Sequence, residues 1–177
     1  MKLLGISGTI IGSKTEIVTE QILADIAKID PNMETEILNL KAFDIQFCDG
    51  RESEGYNEDT KKVINLISNA DLYIIVTPIF HGTISGALKN LFDLISPQVM
   101  KNKVIGFAAV GGNYKHFLMV ENQLKPIAGY FGAYVAPNYV FVHNEDFKDN
   151  QITNQMVLNQ IADFSREIVK MKKLSKC

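Results

Sequence analysis

The tract Pro78-Ile79-Phe80-His81-Gly82-Thr83-Ile84-Ser85-Gly86 gathers ring faces, hydroxyls and two glycines into one short stretch. Phe80 and His81 offer flat faces, Pro78 stiffens the backbone, and Gly82 and Gly86 let main chain approach a guest closely. This set suits a planar aromatic ligand. Ser85 beside Gly86 also reads as the cap of a following helix, and His81 also reads as an ordinary loop histidine.

Two further tracts offer chemistry. Gly8-Thr9-Ile10-Ile11-Gly12-Ser13-Lys14 enters a helix at Thr15. Backbone N–H groups and hydroxyls at a helix amino terminus form an anion site, so Thr9, Ser13 and Thr15 can bond a phosphate while Lys14 adds charge. The same residues read equally as a glycine turn with a hydroxyl cap. The spacing departs from both familiar nucleotide loops: Gly12-Ser13-Lys14 puts the lysine one place late for a P-loop, and Gly5, Gly8 and Gly12 do not make the dinucleotide fingerprint. A monophosphate remains. Gly111-Gly112-Asn113-Tyr114-Lys115-His116 is the third tract. Its paired glycines bring a ligand to backbone donors, with Tyr114 stacking or hydrogen-bonding, or they make a simple tight turn.

Other chemistries find little support. His81, His116 and His143 lie far apart, and Cys48 and Cys177 lack ligand spacing. No Ser/His/Asp pattern appears, and Ser7-Gly8 is not a nucleophile elbow. Cys48 reads as an ordinary half-buried thiol.

The elements that must position these tracts alternate between strand and helix. Strands are expected at Lys2–Ser7, Glu34–Leu40, Leu72–Thr77, Lys103–Val110 and Tyr134–Val142, the last interrupted at Pro137-Asn138. Leu72 to Val76 is an almost unbroken apolar run, as in a strand buried on both faces. Helices are expected over Thr15–Ile29, Asp59–Asn69, Ala87–Ile95, Tyr114–Phe131 and Ile152–Met171. Each shows a periodic apolar stripe. Pro126 inside the fourth should remove a hydrogen bond and bend it. Lys41–Glu58 reads as a long loop. Strand–helix repeats demand a parallel sheet with right-handed crossovers. Five strands at this length predict a flavodoxin-like three-layer α/β sandwich, order 2-1-3-4-5 with helices on both faces, over a six-stranded Rossmann sheet. The first, third and fourth strands then adjoin, bringing the three tracts together.

The chain has 177 residues, 46% apolar and 21% charged, which suits one globular domain over 1–177. A net charge of −2 gives no electrostatic case for nucleic acid. Lys170, Lys172, Lys173 and Lys176 read as a solvated helix end. Two cysteines fit a reducing compartment. The apolar start is too short for a signal peptide, and no run approaches a membrane span. A soluble cytoplasmic protein is expected.

Thr77-Pro78-Ile79-Phe80-His81-Gly82 through Ser85-Gly86-Ala87-Leu88-Lys89 to Asp93 resembles the flavin signature of the NADPH-dependent FMN reductase family. The segment from Gly111-Gly112 through His116 to Leu124-Lys125-Pro126 is similar to the sulfonate-linked subgroup. The resemblance implies a flavodoxin-like oxidoreductase using FMN with NADPH or NADH, hydride passing from nicotinamide to flavin. It places Thr9, Ser13, Lys14 and Thr15 at the FMN phosphate. Pro78, Ile79, Phe80, His81 and Gly82 would line the isoalloxazine, with Gly111, Gly112 and Tyr114 on its other border and Ser85 also among the cofactor-binding residues. It also implies a homodimer or homotetramer and, for the subgroup, flavin supply to a monooxygenase. Ile10-Ile11 stands where many members carry arginine, and Asn122 where the subgroup often has an aromatic. The alternatives are an FMN-bound quinone or azo reductase and a flavodoxin-type electron carrier; the near-neutral charge counts against the carrier.

Overall fold

The computed structural model describes residues 1–176 and side chains through Ser175. The Cys177 thiol and Lys176 ammonium named above fall outside that description. Strands β1 (Lys2–Ser7), β2 (Glu34–Asn39), β3 (Leu72–Pro78) and β4 (Val104–Gly111) alternate with helices α1 (Lys14–Ile29), α2 (Glu58–Ser68) and α3 (Gly86–Leu94). After β4 come α4 (Lys125–Tyr130), β5 (Tyr134–Val135), β6 (Val140–His143), β7 (Phe147–Lys148), β8 (Gln151–Ile152) and α5 (Gln155–Met171). The main sheet runs β2-β1-β3-β4-β5, with β6 also paired to β4, and these pairs are parallel. The flavodoxin-like order expected from the sequence is present.

Every residue of β3 and β4 is buried, which explains their near-continuous apolar reading. One face packs Leu4, Ile6, Ile105 and Phe107 against Val63, Ile67, Leu88, Leu91 and Leu124. The other packs Leu3, Ile74, Val76 and Val104 against Val18, Ile22, Ile26, Phe164 and Ile168. On that second face Gly106 lets α5 come close: a Cβ there would stand 2.6 Å from both Phe164 and Ile168.

Two expected elements differ. The fifth strand is two short pieces, with β5 pairing Val104↔Tyr134 and β6 pairing Ala108↔Val140, so the register slips by two residues around Pro137. Proline has no N–H for the ladder, which accounts for the break. The helix expected over Tyr114–Phe131 is broken as well. A 3₁₀ turn spans Tyr114–His116, a π-type turn spans Val120–Leu124, and regular helix covers only Lys125–Tyr130. Pro126 cannot donate to the Asn122 carbonyl, and the Lys125 N–H reaches back to Val120 O instead.

Candidate functional site

Ser7 lies opposite Val76, and Pro78 opposite Val110, so β1, β3 and β4 end side by side. The three tracts therefore emerge at one edge of the sheet, where open α/β sheets take ligands.

At the first tract, Gly12 turns with φ +74°, and nothing lies within 4 Å of where its Cβ would stand. Ser13 occupies the N-cap of α1 yet makes no capping bond. Helices α2, α3 and α5 are capped by Asn57, Ser85 and Asn154, each accepting from a first-turn amide. The opening amides of α1 thus have no side-chain acceptor, while the helix dipole favours negative charge there. Of the two sequence readings of this loop, the capped helix is not the one the structure adopts.

The neighbours of that helix end divide into shaping and charge. Thr9 is buried and shapes the loop, its hydroxyl accepting from Ile11 N at 3.2 Å and donating to Ile11 O at 3.0 Å. Thr15 is buried in the first turn. Lys14 leans toward the far wall, where Nζ donates to Asn144 O at 3.1 Å and Oδ1 at 3.2 Å, above the Phe147 ring. A second cation was not anticipated. Lys41 Nζ donates to Gly12 O at 3.2 Å and pairs with Glu16 at 3.2 Å.

In the second tract, Phe80 N donates to Thr83 O at 3.0 Å and Thr83 N to Phe80 O at 3.1 Å. His81 and Gly82 between them have φ of 51° and 82°. Two successive positive φ values in a two-residue loop mark a type I′ turn. Histidine tolerates that region better than most residues, and a non-glycine held there is a local strain that suggests function. Open space faces Gly82, with no atom within 4 Å of a Cβ built on it. Pro78 is buried, Ile79 N anchors to Val110 O at 2.9 Å, and Phe80 is exposed. Ser85 spends its hydroxyl inside the protein, donating to Gly8 O and accepting from Leu88 N at 3.1 Å.

The third tract packs against β6 and the residues that follow it. Gly111 closes β4, and a Cβ there would sit 3.3 Å from Ile79 and from the Phe141 ring; at Gly112 it would sit 2.9 Å from Asn144 Nδ2. Both glycines thus lie close against neighbouring side chains, Gly111 against Ile79 and Phe141 and Gly112 against the end of Asn144. Tyr114 is 60% exposed, and its ring stacks on His143 at 4.2 Å with planes 10° apart. His143, opposite Gly111 on β6, completes this wall.

Two cavities flank the cleft. One of about 530 Å³ lies between Thr9–Ile11, residues 43–47, Phe80 and the start of α3, and is largely apolar. The other, about 390 Å³, lies beyond Tyr114 and is bordered by Phe117, Phe141, Asp146 and Met156. Sequence reasoning missed Lys41, His143 and Asn144, which arrive by tertiary approach with no spacing signal. Cys48 is half-buried, with Sγ donating to Asp93 O at 3.3 Å. No helix among the described residues is long and apolar enough to cross a membrane.

Residues 1–147 match the family model of the NADPH-dependent FMN reductases. An NAD(P)H-dependent FAD/FMN reductase of Geobacillus thermodenitrificans is 53% identical over 172 residues, covering 97% of this chain and 93% of that protein. An NADH-dependent FMN reductase of Pseudomonas fluorescens is 30% identical, covering 88% and 83%. Among solved structures, an apo NADH:FMN oxidoreductase superposes with a TM-score of 0.72 at 20% identity, over 93% of this chain and 88% of that one.

Proposed function

The chain belongs to the NADPH-dependent FMN reductase family, and from that premise we propose that the three-loop cleft is where its FMN sits. Its activity is that of an NAD(P)H-dependent FMN reductase. The single observation that carries the placement is the uncapped start of α1. Its donors, with Ser13 and Thr15, fit a phosphate, and Gly12 leaves that approach open. Lys14 contributes charge from the far wall, while Lys41 stands closer to the loop. Thr9 sets the loop's shape instead of reaching outward.

Bound FMN would supply the acceptor for hydride from the reduced nicotinamide. The protein's task is to hold the two rings at reactive distance and to offer dipoles where negative charge arrives. The Phe80–Thr83 turn supplies one ring border, with Pro78 and Ile79 fixing its base. The end of β4 supplies the other, where Gly111, Gly112 and Tyr114 back onto Phe141, Asn144 and His143. Ser85 holds the first and second loops together through Gly8.

The apolar 530 Å³ cavity favours a second reading, in which FMN stays bound and a small apolar acceptor enters beside Phe80. We read residues 1–177 as one domain acting in the cytoplasm as a homodimer or homotetramer. The exposed Ile10, Ile11 and Phe47 give a candidate association face. Flavin supply to a monooxygenase is the remaining option for the electrons.

The test is an anaerobic absorbance titration. The protein should bind FMN, and NADPH or NADH should then bleach the flavin band. Gel filtration separates the two readings, since flavin that co-elutes after turnover favours the bound form. A protein that neither binds FMN nor oxidises NAD(P)H with added flavin would sink the proposal.

A further inference from the structure

The turn at His81-Gly82 is held from outside by one side chain. Gln123 lies 41 residues from Gly82 in sequence, yet its Nε2 donates to Gly82 O at 3.2 Å. Its Oε1 accepts from Thr83 Oγ1 at 2.6 Å. A single primary amide thus spends one donor and one acceptor on consecutive residues of the turn, as a backbone strand partner would. Gln123 belongs to the π-type turn Val120–Leu124, whose buried Val120 and Leu124 anchor that turn in the core. The wide turn that precedes Pro126 therefore has a use: it presents an amide to the opposite loop from a rigid base.

We propose that Gln123 is a positioning residue for the flavin ring, fixing the left-handed turn at His81-Gly82 so that the face of Gly82 stays open to the cleft. The inference rests on the reading of the cleft given above. The physical need is specific. Two successive positive φ values, one on a histidine, cost energy that the two backbone bonds between Phe80 and Thr83 must offset alone unless something else holds the loop. Without the clamp the loop samples other conformations, and ring binding must order it each time. Gln123 touches neither ring nor phosphate in this scheme; it acts through Gly82 and Thr83.

The clamp sits at the ring end of the cleft, so its loss should weaken FMN and riboflavin alike. Gln123→Ala should raise both dissociation constants about tenfold, the worth of one to two net hydrogen bonds. Thr83→Val, which removes one of the two bonds, should give a smaller effect in the same direction. Gln123→Glu separates positioning from simple packing. Its carboxylate can accept from Thr83 but meets the Gly82 carbonyl with no hydrogen to give, whereas the protonated acid donates as the amide did. Its affinity deficit relative to the parent, compared at each pH, should shrink as pH falls toward the usual glutamate value of ~4.3.

Amide hydrogen exchange at the Phe80–Thr83 turn in flavin-free protein gives a readout independent of turnover, and Gln123→Ala should speed it. Unchanged exchange, or flavin affinities within twofold of the parent, would overturn the clamp. A parent protein that fails to bind FMN would instead defeat the flavin reading of the cleft, and the exchange rates would still decide whether Gln123 holds the turn.

Discussion

Serines 13 and 85 each open a helix, and the structure gives them opposite duties. Ser85 caps α3 and ties it to Gly8, so Ser85→Ala should lower stability by about 1–2 kcal/mol, the usual cost of a lost cap. Ser13 makes no such bond. Ser13→Ala should leave urea unfolding of the flavin-free protein nearly unchanged while weakening FMN several-fold and riboflavin little, as a fluorescence titration would show. A stability loss at Ser13 as large as at Ser85 would mean that Ser13 caps after all. Both serines precede a helix and stand near a glycine; sequence favours the cap for Ser85 and leaves cap and ligand equally open for the Ser13 loop. What decides between them is where Gly8 O and the first-turn amides lie, and that is a tertiary fact.

At the level of elements, strand β3 and the helices around it were legible because burial on both faces leaves an apolar run and amphipathic stripes. The segment after Tyr114 was less so. Phe117, Val120, Leu124, Ile127 and Phe131 keep a helical period, and Val120, Leu124 and Phe131 are indeed buried. The backbone beneath them is a π-type turn followed by a short helix, since a missing proline N–H alters the ladder while leaving the apolar spacing intact. The β7–β8 hairpin escaped notice altogether, although Asp149 and Asn150, both at positive φ, are the residue types its turn requires. The contact between β4 and α5 supports a sharper expectation. Gly106→Ala should destabilise, because the new methyl meets Phe164 and Ile168 on a packed helix. Phe164→Ala alone should cost about 3–5 kcal/mol through its cavity. The double variant should be more stable than the sum implies, the coupling being read from a denaturant double-mutant cycle.

Across the whole molecule, apolar surface is distributed unevenly. Ile10, Ile11 and Phe47 are 58%, 62% and 79% exposed beside the 530 Å³ cavity. Large side chains grouped this way around a cleft mark an interaction face more often than idle surface. If that face joins subunits, Ile11→Lys should shift the molar mass in light scattering toward the monomer, and a parent protein already monomeric would refute the assignment. The Ile10-Ile11 pair also gains a meaning that sequence could not supply. It lines the edge of that cavity, while the cations near the loop come from Lys14 and Lys41 on separate elements. At the far end, Lys172 pairs with Asp30, holding the last helix against the exit of the first.

A helix that begins without its own cap hands that duty to whatever anion arrives. With a phosphate seated there, guest and fold become thermodynamically linked, and each occupied copy gains stability in proportion to the logarithm of free guest. The empty form is then the one that frays first at α1 and meets proteases soonest. Flavin seated in the proposed cleft would thereby slow proteolysis of the purified polypeptide, quite apart from how fast it turns over.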